Sequence, residues 1–528
     1  MNFKHLVFIF CTNCMLIACT NKANNVVVET SIKAPNIIYV LADDLGYGDI
    51  HTFNPEGKIK TPNIDKLALE GMKFTDAHTS SAVCTPTRYG ILTGRYNWRS
   101  NLKSSVLTGK SKSLIPTNRK TVADLLKQKN YNTAFIGKWH LGWDWALKNK
   151  DDNSGDGWSA NDFDNIDFSK PIKNGPKDLG FDYSYGHSGS LDMAPYVYVE
   201  NGVATKVPDK VTINKGKYSW WREGPTSSDF IHDDVTPNFF RRSFSYIEEK
   251  SKESQPFFLY LALPSPHTPI LPTEEWLGSS ELNPYGDFVI MIDDYMGQLI
   301  KKIKDAGIEE NTIVIFASDN GCSPQANFKL LGEKGHDPSA IYRGHKADIF
   351  EGGHRVPFIV KWPAQIKPNT SSDKTICTTD FFATCAEITH TTLQSNEGED
   401  SFSLIPLFED PNTSNFLREA TVHSSINGSF AIRKDHWKLI FCPGSGGWSA
   451  PLPESKLAKE LPKYQLYDLS NDPEEENNLY GKHPEIFNEL NKLMISYIEN
   501  GRSNAGEKVS NEPGFGNKWK QIKVFDLN

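Results

Sequence analysis

Four runs of apolar residues most narrow what this chain can become. Residues 36–42 (NIIYVLA), 132–136 (NTAFI), 256–263 (PFFLYLAL) and 312–318 (TIVIFAS) are almost continuously apolar. That is the pattern of strands buried on both faces of a parallel sheet, not of half-exposed alternating strands. Each run stops at chemistry. Asp43-Asp44 follows the first, Gly137-Lys138-Trp139-His140 the second, Pro-Ser-Pro-His267 the third and Asp319-Asn320 the fourth. Parallel strands bring their C-terminal ends to one edge, where an open α/β sheet binds its ligands. Phe288, Ile292, Tyr295, Met296, Leu299 and Ile303 keep helical spacing between the third and fourth runs, as a β-α-β connection requires.

The remaining chain supplies what surrounds that edge. Helices are expected over 61–70, 121–129, 380–388 and 484–500, and a small antiparallel sheet from about residue 416. Residues 143–234 lack periodicity and read as long loops over the sheet edge, where specificity usually resides. Trp143, Trp145, Trp158, Trp220 and Trp221 are candidates to stack on sugar faces, with packing the expected role of most. With 57 Lys+Arg against 65 Asp+Glu, the net charge of −8 excludes a nucleic-acid binder held by a broad basic face. An anionic substrate must therefore meet a local basic cluster.

At the N-terminus a short basic segment precedes an apolar stretch too short to span a membrane, ending in Leu16-Ile-Ala-Cys19. This resembles the lipobox of bacterial lipoproteins. It implies a signal peptide over 1–18, lipidation of Cys19, a polar tether over 19–33, and attachment to the cell envelope by lipid alone. A catalytic domain over 34–415 and a C-terminal subdomain over 416–528 follow. Of the other cysteines, Cys322, Cys377, Cys385 and Cys442 lack metal-site spacing and are either free or paired in one or two bridges.

Cys84-Thr-Pro-Thr-Arg88 sets a cysteine where a helix begins, Pro86 suiting a first turn. The unpaired N–H groups there lead us to expect something anionic at Cys84. This string, with Leu92-Thr-Gly-Arg95 after it, resembles the Cys-x-Pro-x-Arg signature of type I sulfatases, and the likeness runs over residues 34–500. It implies an alkaline-phosphatase-like α/β fold, a mostly parallel sheet flanked by helices, and hydrolysis of sulfate esters in a sulfated polysaccharide or its oligosaccharides. Algal material such as ulvan is favoured, glycosaminoglycan the other option. By the same likeness Cys84 becomes formylglycine through a formylglycine-generating enzyme, and Asp43, Asp44, Asp319, Asn320 and modified Cys84 hold one Ca²⁺.

Matching residue by residue, Lys138 and Lys346 contact sulfate and His345 lies with the substrate. Arg88 holds the formylglycine hydrate, His140 lies near it, and His267 protonates the leaving oxygen. His354 is expected in a solvated charged loop. Two rival readings stand beside this one. A phosphoesterase of the same superfamily would pair Ser or Thr with two zinc ions, against the intact Cys84 string. A glycan-binding lipoprotein without activity would have no need of Cys84, Lys138 or His267.

Overall fold

The computed structural model describes residues 34–151 and 154–526. Cys19 and the expected signal peptide and tether lie outside them. In chain order the elements that position the site are β1 (Asn36–Asp43), β2 (Met72–Phe74), α1 (Cys84–Thr93), β3 (Asn132–Lys138) and β4 (Tyr183–His187). There follow β5 (Val199–Glu200), β6 (Val203–Ala204), α2 (Val235–Lys250), β7 (Phe257–Pro266), α3 (Pro284–Asp305), β8 (Thr312–Ser318), β9 (Phe358–Lys361) and β10 (Thr370–Ser372). Among the described residues they build a ten-stranded sheet in the order β10-β2-β9-β8-β1-β7-β3-β4-β5-β6.

The four apolar runs are the centre of that sheet. β1 pairs in parallel with β7 and with β8, and β7 pairs in parallel with β3. Nearly every residue of these strands is buried, because helices cover the sheet. α2 and α3 pack on β7. α3 carries the expected apolar stripe, starts at Pro284, and is capped by the Asn283 side chain, which accepts the N–H groups of Tyr285 and Gly286.

β1 and β7 lose register between Leu41 and Asp43, so the strand end carrying the acids leaves regular pairing. Glycine is obligatory nearby. Gly137 has φ of 135°, and a Cβ there would lie 1.8 Å from the carbonyl oxygen of Ala262 on β7.

One expectation needs correction. Residues 143–234 are not only loops: β4 extends the sheet beside β3, and 210–214 pairs with 221–226 as a hairpin. Residues 429–441 carry two strands of the expected C-terminal sheet. β11 (Thr421–Ser424), β12 (Phe430–Lys434), β13 (Trp437–Ile440) and β14 (Gln465–Asp468) form an antiparallel sheet, with Asp435 (φ 53°) turning between β12 and β13. α4 (Pro484–Asn500) packs Leu490 and Met494 over this sheet and ends at left-handed Gly501. The C-terminal sheet lies in one compact unit with the large one. Ala82 donates its N–H to the Ser424 carbonyl (2.9 Å) and Ser424 donates to the Ser80 carbonyl (3.1 Å).

Candidate active site

Cys84 opens α1, 2% exposed, after extended Val83. The expected local anion is not what the thiol itself becomes. Burial pushes its pKa up to about 11, outweighing Lys138 and Lys346, which act the other way. The unmodified side chain is a neutral thiol, and it is free, as are Cys322, Cys377, Cys385 and Cys442.

Around it the strand ends converge as the apolar runs predicted. Asp43, Cys84 and Asp319 offer ligand atoms within 4.8 Å of one another, and so do Asp43, Asp44 and His267. Asn320 Nδ2 donates to Asp44 Oδ1 at 2.7 Å, which leaves Asn320 Oδ1 as its free oxygen. Asn320 Oδ1 and Asp43 Oδ1 are both buried without a hydrogen-bond partner among the described residues. Unpaired buried oxygens are costly unless something binds them. Asp43, Asp44, Asp319 and Asn320 offer only oxygen, which fits a hard cation such as Ca²⁺ or Mg²⁺.

Three cations border the acids. Lys138 Nζ donates to Asp43 Oδ2, and Lys346 Nζ to Asp44 Oδ2 at 2.8 Å. Arg88 Nε donates to Asp319 Oδ2 at 2.9 Å. Its Nη1 and Nη2 reach the carbonyls of Lys138 (2.8 Å) and Leu263 (3.3 Å), so one fully buried guanidinium ties three strand ends together. Burial opposes ionisation of Asp43, yet Lys138, then His267 and Arg88, hold its carboxyl well below the usual range. Burial and the neighbouring Asp43 push Asp319 upward. Burial also opposes the charge on Lys346, but Asp44 outweighs it and keeps the ammonium protonated.

Two histidines complete the cluster. His140 is fully buried, and its Nε2 meets the Leu107 carbonyl at 2.8 Å, which leaves Nδ1 an acceptor without a partner. Burial, then Lys138 and Arg88, keeps this imidazole neutral. His267, 11% exposed on its side chain, turns Nδ1 to the Thr268 carbonyl and Nε2 to Asp44 at 3.6 Å. Burial and Lys346 lower its pKa. Asp44, His140 and Ala347 all have positive φ (64°, 53° and 80°). Such strain in residues with a Cβ is characteristic of a functional edge held by its surroundings.

A cavity of about 260 Å³ opens over this group, lined by Cys84, His140, His267 and Lys346 together with residues the sequence did not single out. Ser190 Oγ accepts from Lys138 Nζ at 3.2 Å and lies 3.3 Å from the His267 ring. Asp192, Arg222, Ser323, Gln325 and Trp448 line the walls, with Trp158 and Trp220 from the aperiodic stretch. Trp143 and Trp145 are core residues, as expected of most of these indoles.

His345 is not among the residues lining the cavity. Its ring turns to the Lys346 carbonyl (3.0 Å), to Asp348 and to Phe328. His354, expected in a solvated loop, is fully buried and stacks on His423 at 3.9 Å.

An acid-rich strand edge, a cysteine at a helix start and a basic border define a hydrolase of anionic esters on an alkaline-phosphatase-like sheet. Comparison with known proteins makes the class specific. The sulfatase family model matches residues 35–391, and the model for the C-terminal part of N-sulphoglucosamine sulphohydrolase matches 345–500. The chain therefore belongs to the sulfatase family and is a sulfuric ester hydrolase.

N-acetylgalactosamine-6-O-sulfatase of Bacteroides thetaiotaomicron is 33% identical, over 91% of this chain and 96% of that protein. Human arylsulfatase A is 29% identical over 88% and 87%. A solved protein described under metabolism of multiple glycosaminoglycans by B. thetaiotaomicron superposes with a TM-score of 0.75 at 32% identity, covering 88% of this chain and 99% of that one.

Proposed function

We propose that this protein removes sulfate from a sulfated glycan, with 6-O-sulfated N-acetylgalactosamine in glycosaminoglycan fragments the leading substrate and algal polysaccharide such as ulvan the alternative. The observation that carries the reaction is the junction of unpaired oxygens on Asp43 and Asn320 with Cys84, Lys138 and Lys346 at one buried edge. The leading sugar rests on the relative at 33% identity over nearly its whole length.

Asp43, Asp44, Asp319 and Asn320 would hold one Ca²⁺, and Cys84 would carry formylglycine, installed by a formylglycine-generating enzyme. When present, the cation polarises a sulfate oxygen and the hydrated aldehyde supplies a nucleophile with a second hydroxyl for its own release.

The chain's own groups do the rest. Lys138 and Lys346 neutralise the ester's negative oxygens, which otherwise repel a nucleophile. Arg88, with its donors committed to Asp319 and two carbonyls, acts by fixing strand ends and offsetting charge. His140 Nδ1 is the acceptor available to a hydroxyl on residue 84. His267, its Nδ1–H oriented by the Thr268 carbonyl, would take up a second proton on Nε2 and, as the imidazolium, pass it to the leaving oxygen.

Cys19 would carry the lipid anchor at the envelope, which metabolic labelling with a fatty acid and loss of label in Cys19→Ala would test. The activity is tested by sulfate release from chondroitin, heparin, ulvan, carrageenan and fucoidan oligosaccharides. The protein is co-expressed with the maturation enzyme, with Cys84→Ala as control. Release from one glycan, lost in the control, is expected. No release from any, with Cys84 fully converted by mass spectrometry, would overturn the reading.

A further inference from the structure

Asp192 stands out among the cavity residues. It is almost fully buried, its side chain 5% exposed, and yet one carboxylate oxygen, Oδ1, has no hydrogen-bond partner among the described residues. The other oxygen, Oδ2, is held by Arg222 Nη1.

The pair is built, not incidental. Arg222 donates its backbone N–H to the Asp192 carbonyl at 3.1 Å, and Tyr196 Oη reaches the carbonyls of both Asp192 (3.1 Å) and Arg222 (2.7 Å). The Arg222 guanidinium lies 5.0 Å from the Trp158 ring and 5.1 Å from the Trp220 ring, within cation–π range of both. Two residues before Asp192, Ser190 touches both Lys138 and His267, so this loop is anchored in the catalytic cluster.

We infer that Asp192, oriented by Arg222, is the specificity determinant that accepts a hydrogen bond from a free hydroxyl on the sugar ring bearing the scissile sulfate, and that excludes a ring carrying a second sulfate at that position. This rests on the sulfatase reading above.

The chemistry is one-sided. An ionised carboxylate only accepts hydrogen bonds, so its unpaired oxygen calls for a donor such as a hydroxyl. A sulfate ester also only accepts, and it carries a negative charge. Set against Asp192 it would leave two acceptors facing each other with like charge in a desolvated cavity. The cavity, about 260 Å³, is smaller than the roughly 300–1,000 Å³ of pockets for drug-sized ligands. A volume of that order suits about one sugar ring, whose substituents then lie close to these walls. A site built to bond a hydroxyl discriminates strongly against a ligand without one, because its buried polar atom is then left unpaired.

The test uses N-acetylgalactosamine 6-sulfate and its 3,6- and 4,6-disulfates as ligands, titrated calorimetrically into the Cys84→Ala protein. The monosulfate should bind at least tenfold more tightly than one of the disulfates. Asp192→Asn keeps the shape but presents an N–H donor, so it should shrink that ratio to within about twofold. Asp192→Ala should weaken monosulfate binding by about tenfold or more. Turnover of 4-nitrophenyl sulfate, which has no hydroxyl to present, should change less than about threefold in either variant.

A ratio unmoved by Asp192→Asn in a protein that melts like its parent would overturn the inference. So would equal losses on the sugar and the aryl ester. Sulfate release by the matured wild-type protein is read separately. Hydroxyl-selective binding without release would overturn the sulfatase reading on this sugar and keep the role of Asp192. Release without dependence on Asp192 would do the reverse, and binding of none of the three sugars would overturn both.

Discussion

Two buried clusters of metal-ligating side chains among the described residues invite comparison, and they differ in one respect. At the sheet edge, acids from β1 and from just beyond β8 meet Lys138, Lys346 and Arg88, with carboxylate and amide oxygens left over. Between the large sheet and the C-terminal one, His78, His354 and His423 lie close enough together to suggest a metal site, beside Asp76 and Glu351.

There most of the side chains pair with one another, although His423 Nε2 has no hydrogen-bond partner among the described residues. His78 Nε2 meets Asp76 at 2.9 Å, Arg433 and Arg355 pair with Asp76, and Lys438 bridges Glu351 and Glu475 at 3.0 and 2.8 Å. His354 and His423 stack face to face with planes 5° apart, so their lone pairs do not converge on one point, and Lys438 and Arg433 bring positive charge beside them. Residue type alone fails to separate a site from a joint. Unpaired oxygens beside a cavity do.

The contrast can be broken by mutation. Cys84→Ser, in a host that oxidises only cysteine, should reduce sulfate release by about 10³-fold or more while leaving the urea midpoint nearly unchanged. Lys438→Met should do the opposite. It leaves Glu475 buried without its cation and Glu351 with only Arg355 and Arg433, costing about 3–5 kcal/mol in urea denaturation, with turnover per folded molecule unaltered.

Chelation by EGTA should abolish release and lower the melting temperature. Calcium at 100 times its dissociation constant should restore about 2.7 kcal/mol. Loss of stability without loss of activity would move the cation to the joint.

His232 sharpens the point with a single ring. It stacks on Trp221 at 3.8 Å, and burial lowers its pKa to about 3. Between that value and about 6.5 the unfolded chain binds the extra proton, so stability falls as pH falls. The loss at pH 4.5 is about 2–3 kcal/mol, and His232→Phe should flatten that part of the profile. The smallest effect belongs to His345→Ala, whose ring turns away from the cavity. kcat/KM on the cognate glycan should move less than about twofold, and a tenfold loss would return this residue to the substrate.

What could be read in advance follows the physics of each part. β1, β3, β7 and β8 announce themselves because burial on both faces demands unbroken apolar runs, and the residues beyond their ends follow from parallel geometry. Asp43, Asp44, Asp319 and Asn320 converge for that reason. β4 has only five residues, with Ser, Gly and His among Tyr, and its pairing with β3 leaves no periodic mark. β2 and β10 are three residues each and owe their place to neighbours. Ser190, Asp192 and Arg222 belong to aperiodic sequence. Tertiary hydrogen bonds place them, and the only local hint was an aromatic-rich stretch. At Cys84 a helix start favours an anion, but for the thiol itself complete burial outweighs it.

The strand pairing of Ser81 with Ser424 has a consequence for ancestry. The segment leading into Cys84 is hydrogen-bonded to the edge of the C-terminal sheet, so the last hundred residues are not an appendage that recombination could swap freely. A chimera that inherits this tail from a distant relative must also inherit the matching edge at 80–82. The two halves are therefore expected to have travelled together.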